Sequence, residues 1–257
     1  MEERIASLHQ GALSYLYREG KGPTLILLHG AGHRAAHLLP LAEALPGREI
    51  VIPDARGRGR SAGRPAENLQ ARGEEVRELI DVLGLEKIVV SGHSLGGALA
   101  LEIGLFKLPV VRGLILIATG ARLRVHPAII EAVRAGGPSN LPFSPYSPEF
   151  PESERLRFAA LEESVPTESA LSDWTVANAF DRMSAIASID VPARVIVGSA
   201  DRMTPPKYSE YLASKMPQAE LSLIEGAGHM LPMERPADVA EVMERFLSDR
   251  LADPRGA

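Results

Sequence analysis

The sequence predicts an α/β protein built on a mostly parallel sheet, and three observations support this class. Short apolar runs typical of buried strands, at residues 24–28, 88–91 and 113–118, alternate with segments of helical spacing. Repeated strand–helix alternation is the pattern of β-α-β units, whose strands lie parallel. The 257 residues include no cysteine and are 45% hydrophobic, enough for one large core without disulfides. We therefore predict one domain spanning residues 1–257.

The predicted elements follow in chain order. Residues 12–17 alternate between apolar and polar side chains, which predicts a half-buried strand, and a turn at 19–23 leads it antiparallel into the strand at 24–28. Further strands are predicted at 49–52, 88–91, 113–118, 195–198 and 221–224. Helices are predicted at 69–83, from Gly97 onward and from Pro236 onward, and residues 253–257 are predicted to fray.

The pentapeptide Gly92-His93-Ser94-Leu95-Gly96 lies between an apolar strand and a helical segment. A sharp strand-to-helix turn there would lift the hydroxyl of Ser94 above the sheet. A Cβ at Gly92 or Gly96 would crowd the neighbouring strand and helix, so both positions are expected to require glycine. The pentapeptide alone fits a buried serine in an ordinary glycine-rich turn equally well. With the partners described next, it predicts Ser94 as a nucleophile.

A serine hydroxyl is a weak nucleophile at neutral pH and needs a histidine base and an acid that orients it. Asp201 follows the predicted strand at 195–198, and His229 lies in a glycine-containing loop after the strand at 221–224. Each alone fits a solvated surface residue. Their order, Ser94, Asp201, His229, is the order of hydrolases with a nucleophile elbow. Together they predict a catalytic triad at the carboxyl edge of the sheet.

The oxyanion of a tetrahedral intermediate needs preorganised N–H donors. Leu95 supplies one donor by its position, and we assign the second to Ala31 in the turn His29-Gly30-Ala31-Gly32-His33. The alternative is that these glycines only form a tight turn. His29 is predicted to brace the loop, and His33 to line the pocket or cap the following segment; neither is predicted to be catalytic.

On these motifs the chain resembles the α/β-hydrolase family over nearly its whole length. The matching residues are His29-Gly30, Asp54-Ala55-Arg56-Gly57-Arg58-Gly59-Arg60-Ser61, Gly92-His93-Ser94-Leu95-Gly96-Gly97, Asp201 and Gly228-His229. The resemblance implies an α/β-hydrolase fold with a mostly parallel eight-stranded sheet, helices on both faces, and a helical cap inserted at about residues 121–188. It also implies a serine hydrolase without a metal or organic cofactor. The family is chemically broad, so the resemblance says more about fold than about substrate.

The strand–helix alternation stops between residues 118 and 191, where the cap is expected. Helices are predicted at 127–135, 154–163 and 172–187. Pro142, Pro145, Pro148 and Pro151 recur with the period of polyproline II, which would place Phe143 and Tyr146 on one face. This segment is either a stiff strap over the pocket or a ligand for an SH3-type partner. Trp174 is predicted to bind substrate, with Phe180 beside it; the alternative for both is cap packing.

Two groups of charged or metal-ligating residues carry other predictions. Arg56, Arg58, Arg60 and Arg64 are predicted to form a solvated basic loop, with a phosphate or carboxylate site as the alternative. His29, His33 and His37 have the four-residue step of a helical metal site. Because Gly30 and Gly32 disfavour a helix there, we predict no metal.

Net charge and composition limit the classes of partner that we expect. A formal net charge of −5 offers nucleic acid no broad attraction, and no stretch approaches the roughly 18 apolar residues that span a bilayer. We therefore expect a cytoplasmic protein with no nucleic-acid partner and no membrane span; the sequence does not determine its oligomeric state.

These features predict a carboxylesterase. Because the cap composition predicts a largely apolar pocket, uncharged small to medium acyl esters are the expected substrates. Two alternatives remain open at the same site. One is carbon–carbon bond hydrolysis of a ring-cleavage diketone, which the family resemblance permits. The other is a non-hydrolytic ligand receptor that keeps the triad and uses its cap as a switch.

Overall fold

The computed structural model describes residues 1–136, 141 and 144–251. Its strands are β1 (Glu2–Leu8), β2 (Gly11–Arg18), β3 (Lys21–Leu28), β4 (Arg48–Pro53), β5 (Ile88–His93), β6 (Val111–Ile117), β7 (Ala193–Gly198) and β8 (Ala219–Ile224). Its α-helices are α1 (Leu39–Glu43), α2 (Leu69–Val82), α3 (Leu95–Leu105), α4 (Pro127–Gly136), α5 (Glu152–Glu163), α6 (Thr167–Ala179), α7 (Pro206–Lys215), α8 (Leu231–Glu234) and α9 (Pro236–Leu251). Among these residues no helix is both long and apolar enough to cross a membrane.

The eight strands form one sheet in the order β1-β2-β4-β3-β5-β6-β7-β8. Strand β2 runs antiparallel to both β1 and β4, and from β4 through β8 neighbouring strands are parallel. This confirms the predicted mostly parallel, eight-stranded sheet. Strand β1 was not predicted because its sequence has no apolar run. Its first four residues are exposed and mostly charged, and only Ala6 and Leu8 are buried. An edge strand needs few apolar side chains when backbone pairing holds it.

Helices cover both faces of the sheet, which explains the unbroken apolar runs of the central strands. In β3, Ile26 and Leu28 belong to the core that includes helices α2 and α3, whereas Leu25 and Leu27 belong to the core that includes α1 and α9. The alternation of side chains along a strand sends these pairs to opposite faces. The two layers hold the carboxyl ends of β5, β7 and β8 at one edge of the sheet.

Between β6 and β7 the chain leaves the sheet and forms α4, α5 and α6; we call residues 118–192 the cap segment. Helix α4 matches its predicted range closely. The predicted helix at 172–187 is wrong in its bounds, because α6 starts directly after Pro166 and ends at Ala179. The chain then extends at Phe180, and Asp181 forms an isolated antiparallel bridge with Arg122. A proline just before the first turn and an extended residue at the end set these limits.

The proline-rich segment does not form a regular polyproline II helix where it is described. Pro142 and Phe143 lie outside the described residues, as do residues 253–257. Over 144–151 the chain bends, and the N–H of Phe150 donates to the carbonyl of Ser147 in a turn. The carbonyl of Pro145 accepts the N–H of His229 at 2.9 Å, so this segment packs against the loop after β8.

Candidate active site

Ser94 lies at the junction of β5 and α3. Its backbone angles, φ 55° and ψ −116°, are ones that residues other than glycine rarely adopt. Such strain costs on the order of 1–3 kcal/mol and must be held by the surroundings. A Cβ on Gly92 would lie 2.0 Å from the carbonyl oxygen of Gly96, and one on Gly96 would lie 2.1 Å from that of Leu28. Both distances exclude any side chain, which confirms the steric prediction for these glycines.

Asp201 and His229 form a hydrogen-bonded pair: Nδ1 of His229 lies 2.9 Å from Oδ2 of Asp201. The other carboxylate oxygen, Oδ1, accepts the N–H groups of Met203 at 2.8 Å and Thr204 at 2.9 Å. The hydroxyl of Thr204 donates to Oδ2 at 2.9 Å. Burial alone would raise the pKa of Asp201, but His229 and the Thr204 hydrogen bonds outweigh it and lower the pKa below the usual value. The carboxylate is therefore ionised and fixed in orientation.

Ser94 and His229 line the same cavity of about 280 Å³. Because Nδ1 of His229 faces Asp201, Nε2 is the ring nitrogen left for the serine hydroxyl. The structure thus brings Asp201 and His229 into contact and places Ser94 at the cavity that His229 reaches. Their roles in catalysis remain a prediction.

The two predicted oxyanion donors line this cavity as well. Ala31 and Leu95 border it beside Ser94, and neither N–H donates a hydrogen bond to another residue of the described chain. Trp174 of α6 also lines the cavity, as predicted for a substrate-binding residue, and only 7% of it is exposed. Phe180, by contrast, is buried in the core with α2 and α3 and does not border the cavity.

The sequence model of the alpha/beta hydrolase family matches residues 25–242. The chain belongs to this family. A relative from Stutzerimonas stutzeri named "Putative carbamate hydrolase RutD" is 30% identical over 255 residues, 93% of this chain and 95% of the relative. Lipase 3 from a Moraxella species is 25% identical over 244 residues, 88% of this chain and 76% of the lipase. The solved structure of an esterase from Exiguobacterium antarcticum superposes with a TM-score of 0.87 at 19% identity, covering 95% of this chain and 98% of the esterase.

The loop around His229 in this α/β hydrolase is held by a residue that the sequence did not reveal. Glu234 accepts the N–H of Met230 on Oε1 at 3.0 Å, and those of Gly228 at 3.2 Å and Ser147 at 2.9 Å on Oε2. Its carboxylate therefore fixes both flanks of His229 and the proline-rich segment against them. No local motif marks Glu234, because its partners are backbone groups.

The prediction of a solvated basic loop is wrong for two of its four arginines. Arg56 pairs with Glu75 at 3.0 Å, and Arg58 pairs with Asp173 at 2.8 Å, each with its guanidinium almost completely buried. Arg60 and Arg64 are exposed as predicted. A charged side chain enters the interior when a carboxylate receives it, and both carboxylates come from helices distant in sequence.

Asp173 connects the cap segment to residues 29–33, which we call the oxyanion loop after the role predicted for Ala31. It accepts the N–H of Gly32 at 3.0 Å and pairs with Arg58 and with Arg72, the latter at 2.5 Å. Arg58 also donates to the carbonyl of His33 at 2.6 Å. Burial would raise the pKa of Asp173, but the two guanidiniums hold it well below its usual range. The carboxylate is therefore charged, and it holds the turn that carries Ala31.

His29 braces the same loop, as predicted. Its Nε2 accepts the N–H of Ala55 at 3.1 Å, which leaves the proton on Nδ1, 2.9 Å from the carbonyl of Gly30. Burial lowers the pKa of His29 to about 3, so the ring is neutral.

A second, small cavity of about 20 Å³ adjoins Ser94, enough for about one water molecule. His33, His93 and Trp174 line it, and each has a buried ring nitrogen without a partner among the described residues: Nδ1, Nδ1 and Nε1 respectively. Burial lowers the pKa of His33 to about 3 and that of His93 well below the usual value. His33 thus lines this small cavity beside Ser94 and does not border the larger one, so its role in a substrate pocket stays a prediction.

His33, His37 and Glu162 of α5 bring their ligand atoms within 4.8 Å of one another, although His33 precedes the 3₁₀ helix Ala35–Leu38 and the two histidines do not share a regular α-helix. The rings of His33 and His37 stack with centroids 4.3 Å apart and planes 8° from parallel. Metal ligation uses lone pairs in the ring plane, and stacked rings direct theirs into separate planes. Burial raises the pKa of Glu162 to about 8. The spacing of these three groups would allow a metal ion, whereas the stacking of the two rings does not favour one, and the absence of a metal remains a prediction.

Proposed function

We propose that this α/β hydrolase is a serine hydrolase that cleaves carboxylic esters through an acyl-enzyme on Ser94. One observation carries the proposal: the buried Asp201–His229 pair, at 2.9 Å, adjoins a cavity in which a strained strand-to-helix turn presents Ser94. A serine in that conformation beside a carboxylate-oriented histidine fits nucleophilic catalysis.

In the proposed reaction, His229 accepts the proton of Ser94 while the serine oxygen attacks the ester carbonyl. Asp201 keeps the proton on Nδ1 of the resting imidazole and stabilises the imidazolium. The N–H groups of Ala31 and Leu95 hold the oxyanion. His229 then protonates the departing alcohol, and a water molecule, deprotonated by His229, releases the acid from Ser94.

A fluorophosphonate and a panel of p-nitrophenyl acetate, butyrate and octanoate test this proposal. We expect one phosphonate adduct, assigned to Ser94 by peptide mass spectrometry, and multiple turnovers of at least one ester. Labelling that leaves Ser94 unmodified would exclude the acyl-enzyme. A single slow covalent event without turnover would instead favour the receptor alternative.

Two further substrates distinguish the reaction class. A vinylogous diketone tests the carbon–carbon hydrolysis that the same site could perform. A p-nitrophenyl carbamate tests the reaction named for the Stutzerimonas relative, since a carbamate carbonyl is open to attack by the same serine. Faster turnover of either substrate than of every simple ester would contradict ester hydrolysis as the main activity.

The contact between Asp173 and Gly32 predicts that the cap segment positions the oxyanion donor. Asp173→Asn should lower kcat/KM by about 10- to 100-fold, less than the roughly 10²- to 10³-fold loss that follows removal of a whole oxyanion donor. It should also lower the unfolding temperature, because two buried guanidiniums lose their carboxylate. Ester kinetics and circular dichroism melting measure both effects.

Glu102→Gln is the matched control, because Glu102 pairs with Arg182 of the cap segment at 2.8 Å without touching the oxyanion loop. We expect Glu102→Gln to lose stability while keeping kcat/KM within about threefold. Equal kinetic losses in Asp173→Asn and Glu102→Gln would show that Asp173 has only a structural role.

A further inference from the structure

The cavity at Ser94 is apolar in its interior and basic at its mouth. Leu123, Ile129, Trp174 and Ala177 supply apolar walls. Three exposed basic residues also line it: Arg124, His126 and Arg202. Among the described residues that border the cavity there is no aspartate or glutamate. An uncharged substrate, as expected from the sequence, would not need basic residues at the mouth of the cavity.

The positive charge at the mouth is only partly neutralised. Arg202 has no carboxylate within 4.0 Å in the described part of the chain. Arg124 lies 3.8 Å from Asp181, but Arg122 lies at the same distance from that carboxylate. Two guanidiniums therefore share one negative charge. Nδ1 of His126 accepts the N–H of Ala128 at 3.2 Å, which leaves Nε2 as its donor nitrogen.

We propose that the substrate carries a carboxylate distant from its scissile ester, and that Arg124 and Arg202 bind this carboxylate at the mouth of the cavity. This inference rests on the proposed ester hydrolysis and specifies its substrate class. The apolar interior would hold the hydrocarbon segment between the two polar ends. A cavity of about 280 Å³ is at the small end of ligand sites, which fits a half-ester of a short dicarboxylic acid. Guanidinium groups suit a carboxylate because they donate two parallel hydrogen bonds.

Matched ester pairs that differ only in charge test the inference. On the acyl side the pair is mono-p-nitrophenyl glutarate and its neutral carboxamide, p-nitrophenyl glutaramate. On the alcohol side it is 4-carboxyphenyl butyrate and 4-carbamoylphenyl butyrate. We expect kcat/KM to favour the carboxylate by about five- to tenfold in at least one pair, the range for solvent-exposed ion pairs acting together. The preference should shrink between 50 mM and 500 mM salt, because exposed charges are screened.

Arg124→Gln and Arg202→Gln should each reduce this preference, and the double variant should bring it close to one. Arg122→Gln is the matched control: Arg122 lies two residues from Arg124 and shares Asp181, but it lines a different cavity. It should keep the full preference.

Equal rates within both pairs, or a preference that survives the double variant, would overturn the inference while leaving ester hydrolysis intact. So would equal loss in Arg122→Gln. A protein that hydrolyses none of the four esters would contradict the proposed function itself.

Discussion

Replacing Ser94 with alanine should lower kcat for p-nitrophenyl butyrate by about 10⁴- to 10⁶-fold, the range seen when a catalytic serine is removed. Without the hydroxyl no acyl-enzyme can form, and the remaining oxyanion donors give only residual catalysis. The unfolding temperature should stay close to that of the parent protein. Alanine at this position meets a backbone strain similar to that of serine, and the Ser94 side chain donates no hydrogen bond to the described residues.

Ser199→Ala is the matched control. Ser199 follows β7 at the same edge of the sheet, but its hydroxyl donates to Glu225 at 2.9 Å and it does not line the cavity. Initial rates and phosphonate labelling should separate the two variants completely. If Ser94→Ala hydrolysed p-nitrophenyl butyrate at the parental rate, another group would have to be the nucleophile.

Asp201→Asn should lower kcat by about 10⁴-fold through the tautomer of His229. Oδ1 of Asp201 accepts the N–H groups of Met203 and Thr204, so the amide oxygen of asparagine must occupy that position. The amide nitrogen then faces Nδ1 of His229 and donates to it. The imidazole proton is thereby forced onto Nε2, which cannot accept a proton from Ser94.

Steady-state kinetics together with an imidazole proton resonance would check this account. Asp190→Asn serves as the control, since Asp190 is exposed and lies away from the cavity. A loss of less than about tenfold in Asp201→Asn would mean that Asp201 does not set the orientation of His229.

The sequence revealed the features that depend on residues close together in the chain. Ser94 directly follows β5, and Asp201 and His229 lie in the short loops after β7 and β8, so their places at the carboxyl edge could be predicted once a parallel sheet was inferred. Gly92 and Gly96 indicated the turn because a Cβ at either position would clash with nearby backbone atoms. The family match then confirmed the fold.

Interactions that join distant segments could not be predicted in this way. Asp173 shows no pattern along α6 that indicates Arg58, Arg72 or Gly32 as partners, and Arg58 resembled a solvated loop residue. The basic mouth was missed for the same reason. Arg124 and Arg202 are 78 positions apart and meet one cavity only after folding.

Four imidazoles form a row that ends at His229, and they differ in the groups that contact their rings. His37 stacks on His33, His33 lies 6.0 Å from His93 between ring centroids, and His93 lies 5.0 Å from His229. Burial lowers the pKa values of His33, His37 and His93, and none of them has an ionised carboxylate against its ring. His229 alone has one, in Asp201. Among the rings of this row, His229 therefore fits the proposed role of base, and burial favours the uncharged form of the other three.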